Sequence, residues 1–289
     1  MPDLQVAVRQ ATARDIPRIR QLQQFARRSC VRYGPEDLAR MIEQGYCFVA
    51  DSGPLLWGII CAALLQPGLA QVRGLTLVNG WGLESGVGQL LQGLERGLRQ
   101  DQVQHLMHLG IESWPSAPLA QQQFALLDYI IHYERYAPAR PLAGEHPNPM
   151  VTLRLPGLDE LDALTLLDHL AFAWPWQFSH SELVHLLLTS SRLVVLDYQG
   201  ILAGYACTRL TGDHAHIARL GINPGYQGLG LGRLLLADAL DFAAEAGARV
   251  ISLNTQRQNE ASQRLYQGFG FRAVGRRMPV LIKALGEGP

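Results

Sequence analysis

The chain has 289 residues, about two domains at the usual span of about 100 to 200 residues each. Hydrophobic residues make up 48% and charged residues 17%, which excludes a disordered chain; 25 Lys+Arg against 25 Asp+Glu leave no net field to draw in nucleic acid or an anionic membrane. The four cysteines, Cys30, Cys47, Cys61 and Cys207, have no C-x-x-C spacing, so neither a metal centre nor a disulfide framework is expected.

Met1 to Gln5 carry neither a basic nor an apolar leader, and the longest apolar run, 55–65, is well short of the roughly 18 residues that span a bilayer. A soluble, cytoplasmic protein is expected. Val6 to Arg9 read as a strand, and Thr12, Asp15 and Pro17 open a helix in which Ile19, Leu22 and Phe25 recur at helical spacing. Runs 45–50 and 55–65 read as strands joined by the turn residues Asp51, Ser52, Gly53 and Pro54, and a third strand covers 70–78. A glycine-rich loop over 79–88 and a helix over 89–99 follow. A later helix is read over 119–131, before the Pro/Gly-rich stretch 137–149, the natural linker.

Beyond it come a strand over 150–155 and a helix over 158–171, where Asp159 and Glu160 suit the positive end of the helix dipole. Trp174-Pro175-Trp176-Gln177-Phe178 interrupts, and Ser179 with Glu182 three residues on reads as a capping box for the next helix. Strands are read over 192–197, 201–210 and 214–222.

The order of strand, hairpin, strand, glycine loop and helix occurs twice. A shift of 144 residues lays Gly86 on Gly230, Gly88 on Gly232, Leu90-Leu91 on Leu234-Leu235 and Val8 on Thr152. The chain therefore reads as two copies of one α/β unit, at 1–137 and 150–289, joined by a linker at 138–149. The copies differ where it matters: Leu83, Glu84 and Ser85 stand in the places of Gln227, Gly228 and Leu229. A carboxylate there repels a phosphate, so the first copy reads as degenerate.

In the second copy, Gln227-Gly228-Leu229-Gly230-Leu231-Gly232-Arg233 follows an extended run and opens into Leu234-Leu235-Leu236. Alternate glycines allow positive φ and bring backbone N–H groups close to a ligand, and a helix start adds unpaired donors and a positive dipole end. A phosphate cradle follows. No Gly-Lys-Ser/Thr makes it a P-loop, and Arg233 stands where a dinucleotide fingerprint needs glycine. Downstream, 250–255 reads as a strand, and Asn259, Ala261, Leu265, Tyr266, Gly270 and Phe271 lie on a short helix leading to another strand.

These two motifs together resemble the GNAT acetyltransferase superfamily. Gln227, Gly230 and Gly232 fill its pyrophosphate-loop pattern, and the residues from Asn259 to Phe271 fill its later N-x-x-A-x-x-L-Y-x-x-x-G-F pattern. The resemblance implies an α/β fold of two tandem GNAT-like domains, each a mixed, mostly antiparallel twisted sheet flanked by helices. It also implies acetyl-CoA as cosubstrate, no metal, and a primary amine of a small molecule or a peptide N-terminus as acceptor. A homodimer is compatible with it. The pantetheine arm would lie along Leu220, Gly221 and Ile222, and the pyrophosphate on residues 227 to 233.

Attack of a neutral amine on a thioester needs a base, a donor to the oxyanion and an acid for the leaving sulfur. The resemblance gives the acid to Tyr266; a packed aromatic is the plainer reading. Asn259 would touch the coenzyme or simply cap its helix. The related ribosomal-protein N-terminal acetyltransferases carry a glutamate where Asn254 stands, and an amide takes no proton. His216, on the same strand face as His214, is the expected base, with a structural role as the alternative. Trp174 and Trp176 sit where such enzymes receive the acceptor, or else pack on the sheet. The tandem arrangement also resembles mycothiol synthase, without an acceptor motif in its support. A non-catalytic acyl-CoA-binding module is the reading from another class.

Overall fold

The structure, a computed structural model, describes residues 6–53, 55–136 and 149–286. The leader reading at residues 1–5, Pro54 of the expected turn, and linker residues 137–148 lie outside them. In chain order the elements are β1 (Ala7–Gln10), α1 (Ile16–Phe25), β2 (Arg28–Val31), α2 (Pro35–Glu43), β3 (Cys47–Asp51), β4 (Leu56–Gln66), β5 (Leu69–Leu77), α3 (Leu83–Gln100), β6 (His105–Leu109), α4 (Ser116–Gln121) and β7 (Ala125–Tyr136). Then follow β8 (Val151–Arg154), α5 (Leu161–Ala171), α6 (His180–Thr189), β9 (Arg192–Tyr198), β10 (Ile201–Thr211), β11 (His214–Ile222), α7 (Leu231–Glu245), β12 (Val250–Gln256), α8 (Glu260–Gly268) and β13 (Arg272–Ala284).

Two compact units form, but they are not the sequence segments on either side of the linker. The first takes the described residues up to Tyr129 and those from Met278 on; the second runs Ile130–Arg277. Each unit thus completes its sheet with a strand from the other half of the chain. In the first the strand order is β1-β3-β4-β5-β6-β13, with β13 pairing β6 from Val280↔Leu109 to Ala284↔His105. In the second it is β8-β9-β10-β11-β12-β7, with β7 pairing β12 from Ile130↔Gln256 to Tyr136↔Val250. Except for the parallel pairs β5/β6 and β11/β12, the pairs within these two sheets are antiparallel.

Two expected elements are corrected by this pairing. The run read as a helix over 119–131 is helical only in α4, and from Ala125 it is strand. Ile130, Ile131 and Tyr133 are β-formers, and their partners on β12 decide the matter. The glycine loop expected over 79–88 is largely helix, because α3 begins at Leu83. Gly86 and Gly88 are small for packing reasons: a Cβ on Gly86 would lie 2.9 Å from the Trp81 ring.

In the second unit the sheet separates two helix pairs, and period-two alternation decides which residue goes to which side. Leu193, Val195, Tyr205 and Cys207 pack with Leu164 and Leu167 of α5 and Leu183 and Leu186 of α6. On the other face, Ile131, Tyr133, Ala215, Ile217, Ile251 and Leu253 pack with Leu236 and Leu240 of α7 and Tyr266 of α8. Burying each such leucine contributes roughly 1.5–3 kcal/mol. As expected, Ser179 caps α6: its hydroxyl accepts the Glu182 N–H and the Glu182 carboxylate accepts the Ser179 N–H.

Candidate active site in the second unit

The site begins as an interruption of the sheet. β11 follows β10 in register from His214 to Ile217, but Cys207 then pairs with Arg219, so Ala218 is an extra residue. Such a bulge bends the strand that carries it. The parallel pairs between β11 and β12 end at Ile217↔Leu253, although β11 continues to Ile222 and β12 to Gln256. The two strands therefore part, leaving a cleft of ≈ 70 Å³ lined by Ile217, Ala218, Arg219 and Leu220 on one side, and Asn254, Thr255 and Gln256 on the other. Asn259, Ser262 and Tyr266 of α8, and Phe172, complete its wall.

At the end of β11 the chain makes a short 3-10 turn, Pro224–Tyr226, held by the Asn223 carboxamide oxygen, which accepts the Gly225 N–H at 3.0 Å. Gly228 and Gly230 then take φ of 81° and 78°, the left-handed region that costs an L side chain about 1–2 kcal/mol. α7 starts at once. Among the described residues no acceptor reaches the N–H groups of Gly228, Leu229, Gly230, Leu231 and Gly232. They form a row of unpartnered donors at a helix N-terminus, exposed at Gly228, Leu229 and Gly230, suited to an anion. Gln227 is tied back by its side chain to the Ile222 carbonyl at 3.4 Å, and Arg233 stacks its guanidinium 5.0 Å from the Phe269 ring.

The other coenzyme-site candidates divide. Leu220 lines the cleft, whereas Ile222 packs with Leu231 and Leu235. Gly221 answers to packing: a Cβ there would lie 2.9 Å from the Phe172 ring. Asn259 does cap α8, its side chain accepting the Ser262 N–H at 3.1 Å, and it also lines the cleft. Tyr266 is 6% exposed at the cleft wall, packed against Tyr133 and Phe271. Burial pushes its phenol up, opposed by the Ser262 side chain, so at neutral pH it keeps the proton a donor needs.

His216 lies in the zipped part of the sheet, outside the cleft lining, with Nδ1 2.8 Å from Ser252 Oγ. Burial, then the charges of His132, His214 and Arg209, lower its pKa to about 4. An imidazole held there is neutral at pH 7 and a weak proton acceptor. Asn254 does line the cleft, and its Oδ1 lies 2.8 Å from Nδ1 of His132 on β7, whose Nε2 lies 3.1 Å from Glu134.

Trp174 and Trp176 do not line the cleft; the segment bearing them is anchored beside it. Arg219 is sandwiched between the rings of Phe172 and Phe178, at 3.5 and 3.8 Å. It donates to the Trp176 carbonyl at 2.8 Å and to Asp168 Oδ2 from Nε at 2.8 Å and from its second amino group at 2.5 Å. Asp168, fully buried, also accepts the Tyr205 hydroxyl and the Phe178 N–H. Burial, with the Asp168 carboxylate adding to it, holds the Tyr205 phenol well above its ordinary pKa, against the pull of Arg219.

This cluster escaped the sequence reading. One signal was present: Arg219 is a lone cation in an apolar strand, and Asp168 sits next to Leu167 on the buried side of its helix, each asking for a charged partner. His132 left no local signal, since its partner Asn254 is 122 residues away. Among the described residues no group of three His, Cys, Asp or Glu side chains could hold a metal ion, and no helix is long and apolar enough to cross a membrane.

The acetyltransferase (GNAT) family matches residues 161–271. The [ribosomal protein bS18]-alanine N-acetyltransferase of Escherichia coli strain K12 is 30% identical over 114 residues, covering 39% of this chain and 74% of that protein. A GCN5-related N-acetyltransferase from Sphaerobacter thermophilus shares the fold over 99% of this chain and 97% of its own, at a TM-score of 0.67 and 17% identity. A tandem GNAT protein from the clavulanic acid biosynthesis pathway does so over 99% and 100%, at a TM-score of 0.64 and 15% identity. The parted strands, the glycine cradle and these likenesses agree: this chain belongs to the GNAT family and is an acetyltransferase of tandem build.

Proposed function

We propose that the second unit transfers an acetyl group from acetyl-CoA to a primary amine, of the kind presented by a peptide N-terminus. The observation that carries this is the parting of β11 from β12 beside an unpaired row of N–H groups. Backbone groups at Leu220 lose their β12 partners there, and an amide-bearing pantetheine arm satisfies them as an added strand would. The donors from Gly228 to Gly232 receive the pyrophosphate. Tyr266 protonates the departing sulfur as the amine nitrogen bonds to the carbonyl carbon. The cleft lining holds amides and a paired arginine but no carboxylate, which favours an acceptor held by amide hydrogen bonds over a polycation.

The first unit, on the same reading, holds no coenzyme. It parts in the same place: β5 and β6 pair only from Leu69↔His105 to Gln71↔Met107, with Arg73 as the extra residue. There β2 fills the gap, pairing from Arg28↔Leu77 to Val31↔Gly74. A chain segment already occupies the edge a pantetheine arm would use. Titration calorimetry with acetyl-CoA should give one site per chain, and thiol release should depend on added amine, with N-terminal peptides as acceptors. Two sites per chain would sink the first-unit reading; tight binding without amine-dependent thiol release would leave a coenzyme-binding module instead.

A further inference from the structure

His216 is placed to take no proton at neutral pH, and the Asn254 carboxamide is not a base, yet the acceptor reaches the cleft as an ammonium. Another group must take that proton. Resting on the acetyl-transfer reading above, we infer that His132 of β7 is the base, with Asn254 holding the amine and Glu134 positioning the ring.

The strand register brings these residues together. His132 is the direct cross-strand partner of Asn254, and Glu134 the partner of Ser252, so side chains at these alternate positions share one face of the sheet. The intervening Ile131, Tyr133 and Leu253 point the other way, into the core with Tyr266. Tyr266 thus lines the cleft from the core face, and His132 meets it from the opposite face through the cleft-lining Asn254. That is the arrangement needed when the amine loses a proton on one side of the thioester and the sulfur gains one on the other.

The hydrogen bonds suit the role. Glu134 at 3.1 Å from Nε2 can hold an Nε2–H tautomer, which leaves the lone pair on Nδ1; the 2.8 Å contact from Nδ1 to the Asn254 oxygen is the one the protonated ring makes as an N–H donor, and it opens to admit the amine when the ring is neutral. An amine entering beside Asn254 donates one N–H to its Oδ1 and passes a proton to His132 Nδ1. The nitrogen pair then forms the bond to the carbonyl carbon, the C–S bond breaks as Tyr266 gives its proton to the thiolate, and the second proton that the nitrogen sheds on becoming an amide restores the Tyr266 phenol. The imidazolium formed lies between two acceptor oxygens, Asn254 Oδ1 and Glu134 Oε1, and releases its proton to water, which its partly exposed ring can reach. Of the titratable groups near it, Glu134 lies on its own strand and His216 of β11 is the one whose charge it feels across β12.

The test compares the full-length parent with His132→Ala and His132→Gln, using an alkylamine-terminated peptide. We expect kcat to fall about 100-fold, the usual scale for a positioned base. The dissociation constant for acetyl-CoA should not move, which also reports an intact fold. Added imidazole should restore part of the His132→Ala rate, and the deficit should shrink with an arylamine acceptor, which is already neutral. Glu134→Gln should lose less, and Glu134→Asp should recover most of that. A variant rate within about threefold of the parent overturns the assignment, as does an equal loss with both acceptors that imidazole leaves unchanged. A parent that binds coenzyme but acetylates no amine sinks the transfer reading itself, and this assignment with it.

Discussion

Tyr266, the proposed proton donor, shows how packing sets the protonation of a side chain. Its ring belongs to the apolar cluster with Tyr133 and Phe271, and the same burial keeps the hydroxyl protonated at the cleft wall. Tyr266→Phe keeps the packing and removes the donor, so kcat should fall about 100-fold with the coenzyme affinity unchanged, as steady-state kinetics and calorimetry would show. His216 and His108 are buried neutral, each lowered to about 4, chiefly by desolvation. Between about pH 6.5 and 4 the unfolded chain binds the proton and the folded chain does not, so the unfolding free energy falls as the pH falls. Each lowers the unfolding free energy by on the order of 3 kcal/mol across that window, and urea melts of His216→Gln should show a shallower pH slope. Neither effect is legible from residue type, because a lone histidine in a strand gives no measure of its burial.

The elements around the site depend on small backbone events. One extra residue, Ala218, bends β11 away from β12, and two left-handed glycines turn the chain into α7 with its donors free. Nothing lies within 4 Å of a Cβ built on Gly230, so the demand for glycine comes from φ and not from crowding. Gly230→Ala should therefore cost about 1 kcal/mol in chemical denaturation and weaken coenzyme binding, while the sheet stays folded. The loop's composition made this much readable in advance. The bulge was not readable, since Ala218 is an ordinary strand residue whose register depends on β10.

The whole molecule exchanges strands between its halves. Ile131 and Tyr133 of β7 sit in the core of the second unit, and Val280 and Leu281 of β13 are buried in the first. A fragment spanning 149–286 therefore lacks two large core side chains, a loss of several kcal/mol against a typical total of about 5–15. It should fail to fold cooperatively or bind acetyl-CoA, whereas a fragment spanning 130–277 should do both; circular dichroism melts and calorimetry distinguish them. Equal behaviour of the two fragments would contradict the exchange.

By itself the sequence determined the parts that depend on local chemistry: the glycine-rich turn at 228–232, the capped helix α8, most strands, and a repeated plan in which Glu84 stands where the second copy has Gly228. Period, turn residues and positive-φ glycines act within a few residues of chain, so they can be read along it. Only the tertiary structure decided what depends on distant pairing. It made 125–136 a strand, placed β2 in the gap of the first unit, buried Arg219 against Asp168, and set His132 beside Asn254. Each of those contacts joins residues far apart in sequence, and their energies exist only once the register brings them face to face.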